Sequence, residues 1–210
     1  MSSAEKLDWI DTTTYLRREA DSAEKVEYVD GTLRAMTGST NRHHLIATNA
    51  TGLLFSQLQG KPCRVYNSDT RIRIRHLHAT WFYFPDASVV CLPNAQNDLF
   101  QDRPVMVVEV LSLGTRANDL DEKLRNYLSI SSLEYYLILE QIAPEAFLMR
   151  RVENGFLRET YESLAAVIDL PAIGCQIPLN KIYADIDLSP DAVREEIPNY
   201  NTETCAVAAE

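Results

Sequence analysis

An almost uninterrupted apolar run near the middle of the chain constrains the fold more than any other feature of the sequence. Residues 104–111 read PVMVVEVL, a pattern typical of a central strand buried on both faces. The exception within the run is Glu109, because an ionised carboxylate is costly to bury unless it is paired or binds a metal. The alternatives are a strand end that reaches solvent, a buried Glu–Arg pair, or a functional carboxylate.

The flanking segments predict an α/β (α+β) domain with a mixed central sheet flanked by helices, preceded by an N-terminal helix and a β-hairpin. Helices are expected where capping residues precede apolar stripes at helical spacing: 11–20, 41–59 and 118–130. Alternating and apolar runs predict strands over 63–76 (two strands), 82–91, 104–111, 134–140, 145–151 and 156–161. Asp30-Gly31 predicts a tight hairpin turn, and 170–184 a closing strand and a short helix.

Length and charge indicate one domain with an acidic tail. The 210 residues suffice for a single sizeable core, which we expect over 1–185. Seven acids and one arginine lie in 185–210 and contribute −6 to the net charge of −10, so 186–210 is predicted to be a flexible tail. The acidic balance opposes nucleic-acid binding, but the stretch 61–78 carries a local charge of +4.

No apolar run approaches the roughly 20 residues of a membrane-spanning helix, and no secretory signal is visible at the N-terminus. A cytoplasmic protein is therefore expected. The four cysteines, Cys63, Cys91, Cys175 and Cys205, are scattered without a C-x-x-C pair, which predicts free thiols.

A second acid, Asp86, follows Pro85 at the entry to an apolar strand. It is either a turn residue or an accessible ligand-binding carboxylate. Two carboxylates on neighbouring strands can hold one hard cation, and Mg²⁺ commonly takes one or two carboxylates together with water and phosphate oxygens. Such an ion supports phosphodiester hydrolysis.

Asp86, then Glu109 within VVEVLS, then Asp119, Lys123 and Tyr127 on the next helix resemble the PD-(D/E)XK nuclease superfamily. A wider ordered set, covering about residues 10–185, resembles one bacterial branch, the Uma-type restriction endonuclease family, long catalogued only as a domain of unknown function. The set comprises Glu27-Tyr28-Val29-Asp30-Gly31, Arg42-His43, Ser68-Asp69, Pro85-Asp86, Glu109-Val110-Leu111-Ser112, Thr115, Lys123 and Tyr127.

The resemblance implies a restriction-endonuclease-like fold and a DNA endonuclease in which Asp86, Glu109 and the carbonyl of Val110 bind Mg²⁺, with Mn²⁺ as a possible substitute. Glu27 would lie near them. Leu111 occupies the place of the catalytic lysine expected in the superfamily, and the resemblance implies that Lys123 supplies the charge from the helix instead. A homodimer is expected by analogy with DNA-cutting enzymes that place one site on each strand.

From the residues alone, Lys123 lies at the border of an apolar helical stripe and either reaches the end of the sheet or stays solvated and paired with Asp119 four positions earlier. Tyr127, one turn on, is a candidate substrate contact for which packing is the stronger alternative. His43 either lines the cleft or lies on the helix surface.

Arg71, Arg73 and Arg75 alternate with isoleucines, so their side chains share one face of a strand. They either contact phosphates or form a charged edge that discourages aggregation.

Two hypotheses remain. The first is a Mg²⁺-dependent DNA endonuclease that uses Glu27, Asp86, Glu109 and Lys123. The second, favoured by Leu111 and by the acidic balance, is a catalytically inactive nuclease-like module that binds nucleic acid or protein.

Overall fold

The structure is a computed structural model that describes residues 9–20, 22, 24–36, 38–112 and 116–189, without the side chains of 117 and 118. The helices are α1 Thr12–Ala20, α2 Asn41–Leu58, α3 Arg116–Leu120, α4 Glu122–Leu128 and α5 Leu179–Ile182. The strands are β1 Val26–Val29, β2 Thr32–Ala35, β3 Arg64–Asn67, β4 Arg71–His76, β5 Ala79–Tyr83, β6 Ala87–Val90, β7 Phe100–Gln101, β8 Pro104–Val110, β9 Tyr135–Leu139, β10 Ala146–Val152, β11 Gly155–Tyr161, β12 Val167–Leu170 and β13 Cys175–Pro178.

The predicted apolar strand is β8, which lies inside a mixed six-stranded sheet of order β11-β10-β9-β8-β6-β3. It pairs antiparallel with β6 and parallel with β9. Alternate side chains point to opposite faces. Met106, Val108 and Val110 pack in the core beneath α2, whereas Val107 and Leu111 pack in the core that includes α4 and β4. By this alternation, Glu109 faces the second core.

A second, five-stranded sheet has the order β2-β1-β5-β4-β7 and packs on that same second core. Its outer side is covered by α1, where Tyr15, Tyr28 and Phe82 form an aromatic cluster with ring centroids 5.2–5.9 Å apart. The strand predicted over 82–91 is therefore two strands in different sheets. Because proline lacks the N–H that a sheet ladder needs, the chain leaves β5 at Pro85 and enters β6 after Asp86.

The other predicted elements are largely confirmed. Asp11 caps α1 by accepting hydrogen bonds from the N–H groups of Thr13 and Thr14 at 2.9 Å. The turn between β1 and β2 has positive φ at both Asp30 and Gly31, as the sequence predicts. The closing segment contains a hairpin, β12–β13, before the short helix α5.

The helix predicted over 118–130 is interrupted, which corrects that expectation. Asp121 separates α3 from α4 and adopts a non-helical conformation, φ −126° and ψ −78°. The sequence predicts that this helix starts at Asn118, but α3 begins at Arg116, so Asn118 lies within it. The segment between β6 and β8, for which no strand is predicted, also contains the two-residue strand β7, which pairs parallel with β4.

The prediction of free thiols is wrong for Cys63 and Cys91, which form a disulfide. The register of β3 and β6 explains the pairing. Arg64, the first residue of β3, lies opposite Val90, the last residue of β6, so Cys63 just before β3 lies beside Cys91 just after β6. Cys175 is free and buried.

Cys205 and nearly all of the predicted acidic tail lie outside the described residues. Among the described helices, none is long and apolar enough to cross a bilayer.

Gly52 lies in the interior of α2, and a Cβ built on it would meet no atom within 4 Å. We predict that Gly52→Ala raises the free energy of unfolding by about 0.5–1 kcal/mol, because glycine loses more backbone entropy than alanine in a helix. Urea denaturation followed by circular dichroism measures this change. Gly60→Ala is the matched control: its surroundings are equally open, but φ is +74°, so stability should fall by about 1 kcal/mol. Destabilisation by Gly52→Ala would contradict the prediction.

Candidate active site at the end of strand β8

Four residues that are distant in sequence meet at the C-terminal end of β8. Glu109 belongs to β8 itself, Glu27 to β1, and Lys123 to α4, while Asp86 lies in the connection before β6. Ala87 pairs with Val108, so Asp86 and Glu109 are each the next residue beyond this pair. The structure thus brings Glu27, Asp86, Glu109 and Lys123, all predicted from the sequence, into one cluster.

Lys123 is the centre of this cluster and is 95% buried. Its Nζ lies 3.0 Å from Oε1 of Glu27, 3.3 Å from Oε1 of Glu109 and 3.4 Å from Oδ1 of Asp119. Burial acts to lower the pKa of Lys123, but the charges of Glu109, Glu27 and Asp119 outweigh it and hold the pKa well above its usual value. The pair with Asp119 that the sequence suggested therefore exists, but the ammonium is buried rather than solvated.

Glu109 is held between Lys123 and Tyr127, whose hydroxyl donates to Oε1 of Glu109 at 3.3 Å. Burial raises the pKa of the Glu109 carboxyl well above its usual value. The charge of Lys123 opposes this rise, and the charges of Asp119, Asp86 and Glu27 add to it. Four carboxyl groups thus act on the same region as the one buried ammonium. Tyr127 itself is fully buried, so its contact is with Glu109 and with its aromatic neighbours.

Asp86 is the cluster's more accessible acid. Its Oδ2 accepts a hydrogen bond from the N–H of Val110 at 2.7 Å and lies 3.4 Å from Nε2 of His43. Burial acts to lower the pKa of His43, but Asp86 and the backbone of Val110 outweigh it and raise the pKa above its usual value. His43 is buried in the first turn of α2, so it is not a surface residue; its Nδ1 has no hydrogen-bond partner.

A polar network anchors α4 and thereby positions Lys123. Arg34 of β2 donates two hydrogen bonds of 2.9 Å to the carboxylate of Glu122. The hydroxyl of Tyr83 also donates to Glu122, at 2.8 Å, and accepts from Asn126 at 2.7 Å. Sequence reasoning missed this network because its partners lie up to 88 residues apart and no local pattern marks them.

The three arginines of β4 are not brought into the cluster. Arg71 pairs with Glu19 at 2.7 Å and is buried, and Arg73 makes two hydrogen bonds to Asp102. Arg75 is exposed. The short strand β7 pairs with β4 at Arg71 and the residue after it. Two of the three guanidinium groups are thus neutralised by carboxylates.

The donor chemistry at Asp86 fits a hard divalent cation. The side chain of Asp86 and the backbone of Val110 both face the ring of His43, and Glu109 is the residue adjacent to Val110. Among the residues that the structure describes, no three acidic, histidine or cysteine side chains are grouped to hold a metal ion. Mg²⁺ nevertheless commonly takes only one or two carboxylates and completes its shell with water. Asp86, Glu109 and the Val110 carbonyl are the residues that would hold it.

A cleft of about 800 Å³ adjoins Asp86 and His43. One wall is the helix α2 and the other is β3; we call it the α2–β3 cleft. Of the four clustered residues, Asp86 lines it. Its lining residues include Lys25, Ser39, His43, His44, Ala47, Thr48, Thr51, Gly52, Phe55, Val65, Tyr66, Asn67, Ser68 and Asp86.

Comparison with known proteins assigns the chain to a family. A sequence model of the Uma2 family, described as "Putative restriction endonuclease", matches residues 12–180. An uncharacterised protein of Synechocystis sp. is 33% identical over 171 residues, which cover 80% of this chain and 88% of that protein. A second uncharacterised Synechocystis protein is 27% identical over 60% of this chain and 72% of its own length. The chain belongs to the Uma2 family, as the ordered motifs predict.

The fold is restriction-endonuclease-like. A crystal structure from Anabaena variabilis ATCC 29413, described as "a putative nuclease belonging to DUF820", superimposes with a TM-score of 0.63 at 15% identity. The match covers 80% of this chain and 96% of that one. This likeness confirms the predicted fold class.

We predict that Lys123→Met lowers the free energy of unfolding by about 3 kcal/mol, because it leaves the carboxylates of Glu27, Glu109 and Asp119 buried without their shared cation. Adding Glu109→Gln should restore part of the loss, since one buried charge is then removed. Chemical denaturation of the two single variants and the double variant measures the coupling. Lys181→Met, at an exposed helical lysine, is the control; an equal loss there would contradict the assignment.

Glu109→Gln by itself should stabilise the protein increasingly as pH rises. The carboxyl has a folded-state pKa raised above its unfolded value, so the stability it confers is present at low pH and is lost as pH rises through the folded pKa. The glutamine variant has no carboxyl at this position, so its stability does not fall in this way as pH rises. Thermal unfolding of both proteins should give similar midpoints near pH 4 and a higher midpoint for the variant at about pH 8. A difference that shrinks with rising pH would contradict this prediction.

Proposed function

We propose that this protein is a metal-dependent nuclease that hydrolyses phosphodiester bonds in DNA. The observation that carries the proposal is the convergence of Glu27, Asp86, Glu109 and Lys123 from separate elements onto one end of β8, beside an open cleft. Membership of the Uma2 family supports a nuclease. A divalent ion held by Asp86 and Glu109, when bound, would polarise the phosphate and lower the pKa of an attacking water.

The residues of the chain prepare this chemistry. The N–H of Val110 fixes Oδ2 of Asp86 at the cleft, so the carboxylate is oriented before a ligand arrives. Lys123 and Tyr127 fix Oε1 of Glu109 from the buried side. We propose that Lys123 also supplies positive charge beneath the reacting phosphate, which is the role that the missing lysine at Leu111 would otherwise perform.

Glu27 is the acid best placed to take a proton from the attacking water or to hold a second ion. Its Oε1 is shared between Lys123 and the N–H of Phe84, which lies 3.4 Å away. These contacts fix one oxygen. In our proposal, the second carboxylate oxygen handles the proton. A homodimer, with one site for each strand, and a Mg²⁺ cofactor replaceable by Mn²⁺ complete the proposal.

A second candidate is a nuclease-like module that binds nucleic acid or protein without cutting. It is favoured by the position of the Lys123 ammonium, which already neutralises part of the acidic cluster, and by Leu111 at the usual lysine position. Metal uptake separates the two candidates, because a binding module has no need of a divalent ion at Glu109.

We predict that Asp86→Asn and Glu109→Gln each reduce cleavage of supercoiled plasmid DNA in Mg²⁺ by about 100-fold or more, because each removes a metal-binding charge. Titration with Mn²⁺ in a calorimeter should show uptake by the wild type and its loss in both variants. Glu159→Gln is the matched control, since Glu159 is paired with Arg150 on the far edge strand β11. Wild-type cleavage by both site variants would refute the nuclease proposal, and absence of metal uptake by the wild type would favour the binding module.

A further inference from the structure

The wall of the α2–β3 cleft formed by α2 is a continuous stripe of small or uncharged side chains. His44, Ala47, Thr48, Thr51, Gly52 and Phe55 all line the cleft, and their spacing of three and four residues places them on one helical face. The stripe starts beside His43 and Asp86 and runs away from the acidic cluster. A ligand lying along it would therefore have one end at the candidate metal site.

The hydroxyl groups on this face are directed into the helix. Oγ1 of Thr48 donates to the carbonyl of His44 at 2.7 Å, and Oγ1 of Thr51 donates to the carbonyl of Ala47 at 2.8 Å. With the hydroxyl protons used in this way, the wall offers little to fix a polar ligand by hydrogen bonds. It presents a surface suited to flat, apolar groups.

Gly52 leaves the helix backbone open to the cleft on this wall. In a helix interior, glycine is less stable than alanine by about 0.5–1 kcal/mol. No packing requirement explains it, because a Cβ at this position would meet nothing within 4 Å. A glycine that is unfavourable for the helix and faces a cleft is explained when a ligand must contact the helix backbone closely.

An exposed aromatic ring stands along the same cleft. Phe55 is 57% exposed and lines the α2 wall, and Tyr66 of β3 borders the cleft on the other side. Positive charge is scarce: of the lysines and arginines described, only Lys25 lines the cleft, and its ammonium already binds Asp69 at 2.6 Å. This composition differs from the basic surface that tracks the phosphates of duplex DNA.

A buried, unpartnered polar atom marks the inner end of the cleft. His43 is 94% buried and lines the cleft, and Nδ1 of its ring has no hydrogen-bond partner. Its Nε2 contacts Asp86. The stripe therefore ends at a buried histidine whose ring contacts Asp86.

We propose that the α2–β3 cleft binds an unpaired nucleic-acid strand. A base stacks on Phe55 against the smooth wall at Gly52, and the backbone passes Asp86. Stacking on aromatic side chains is independent of sequence and needs bases that are not paired. The inference rests on the proposed nuclease function, which it deepens: the substrate class becomes a single strand, or a frayed or looped segment of a duplex, rather than intact duplex DNA.

The test is fluorescence anisotropy in metal-free buffer with a labelled DNA strand of about 12 nucleotides, alone and annealed to its complement. We expect the single strand to bind at least about tenfold more tightly than the duplex. Phe55→Ala should weaken single-strand binding about tenfold, and Phe55→Trp should retain it, since tryptophan keeps a stacking surface. The slope of log K against log salt should be shallow, about −0.7 per phosphate contact with one or two contacts.

Gly52→Leu provides the sharper variant because stability and binding should change in opposite directions. Leucine favours the helix, so the thermal midpoint should stay equal or rise, while the side chain fills the cleft and weakens single-strand binding about tenfold. A purely structural role for Gly52 cannot give both results. Leu157→Ala is the control, because Leu157 is also exposed but lies on β11, the opposite edge of the sheet from β3.

Equal or tighter binding of the duplex, or unchanged single-strand binding in both Phe55→Ala and Gly52→Leu, would overturn the inference. The measurement requires neither metal nor turnover, so it is separable from the plasmid assay. Single-strand binding with the expected variant effects, together with no cleavage of any substrate, would uphold the cleft assignment and refute the nuclease function. Cleavage that depends on Asp86 but is unaffected by the cleft variants would uphold the nuclease function and refute the cleft assignment.

Discussion

The shared ion pair between Lys123 and three carboxylates is the constraint on which the architecture of this site depends. Glu27 comes from the five-stranded sheet, Glu109 from the six-stranded sheet and Lys123 from the helix α4 between them. One buried ammonium therefore ties together the two sheets and the helix. Because a buried carboxylate without a partner is unfavourable, each of these elements must be in place before the others are stable.

The same arrangement leaves the site short of positive charge. The pKa of Glu109 is raised in part by the nearby carboxylates of Glu27, Asp86 and Asp119. The basic groups beside these acids are a single lysine and the ring of His43. A purely structural cluster would be expected to approach neutrality, since unpaired buried charge lowers stability. A shortage of positive charge beside an open cleft accords with the divalent ion proposed for this site. The network of Arg34, Glu122 and Tyr83 compensates by holding α4 in place.

The structural features that could be predicted from the sequence are mainly those determined by residues close together in the chain. The strand β8, the Asp30-Gly31 turn and the long helix α2 follow from local periodicity and turn chemistry, and the structure has them where the sequence places them. The acidic cluster was predicted from the ordered motifs, because no local pattern indicates that Glu27 lies near Glu109. The break at Asp121 could not be predicted, since 118–130 keeps an apolar stripe across it. The disulfide between Cys63 and Cys91 follows only from the register of β3 and β6, which the sequence alone does not determine.

The arginines of β4 show why charge counts along a sequence are a weak guide to nucleic-acid binding. The stretch 61–78 is the most basic part of the chain, yet Arg71 and Arg73 have carboxylate partners from α1 and from the residue after β7. Positive charge that is neutralised within the fold releases few counterions on binding DNA and so contributes little affinity. A protein of this composition that acts on nucleic acid must therefore gain affinity from another source. In the single-strand binding proposed here, the exposed ring of Phe55 beside the site supplies one, because stacking on bases is effective without a basic surface.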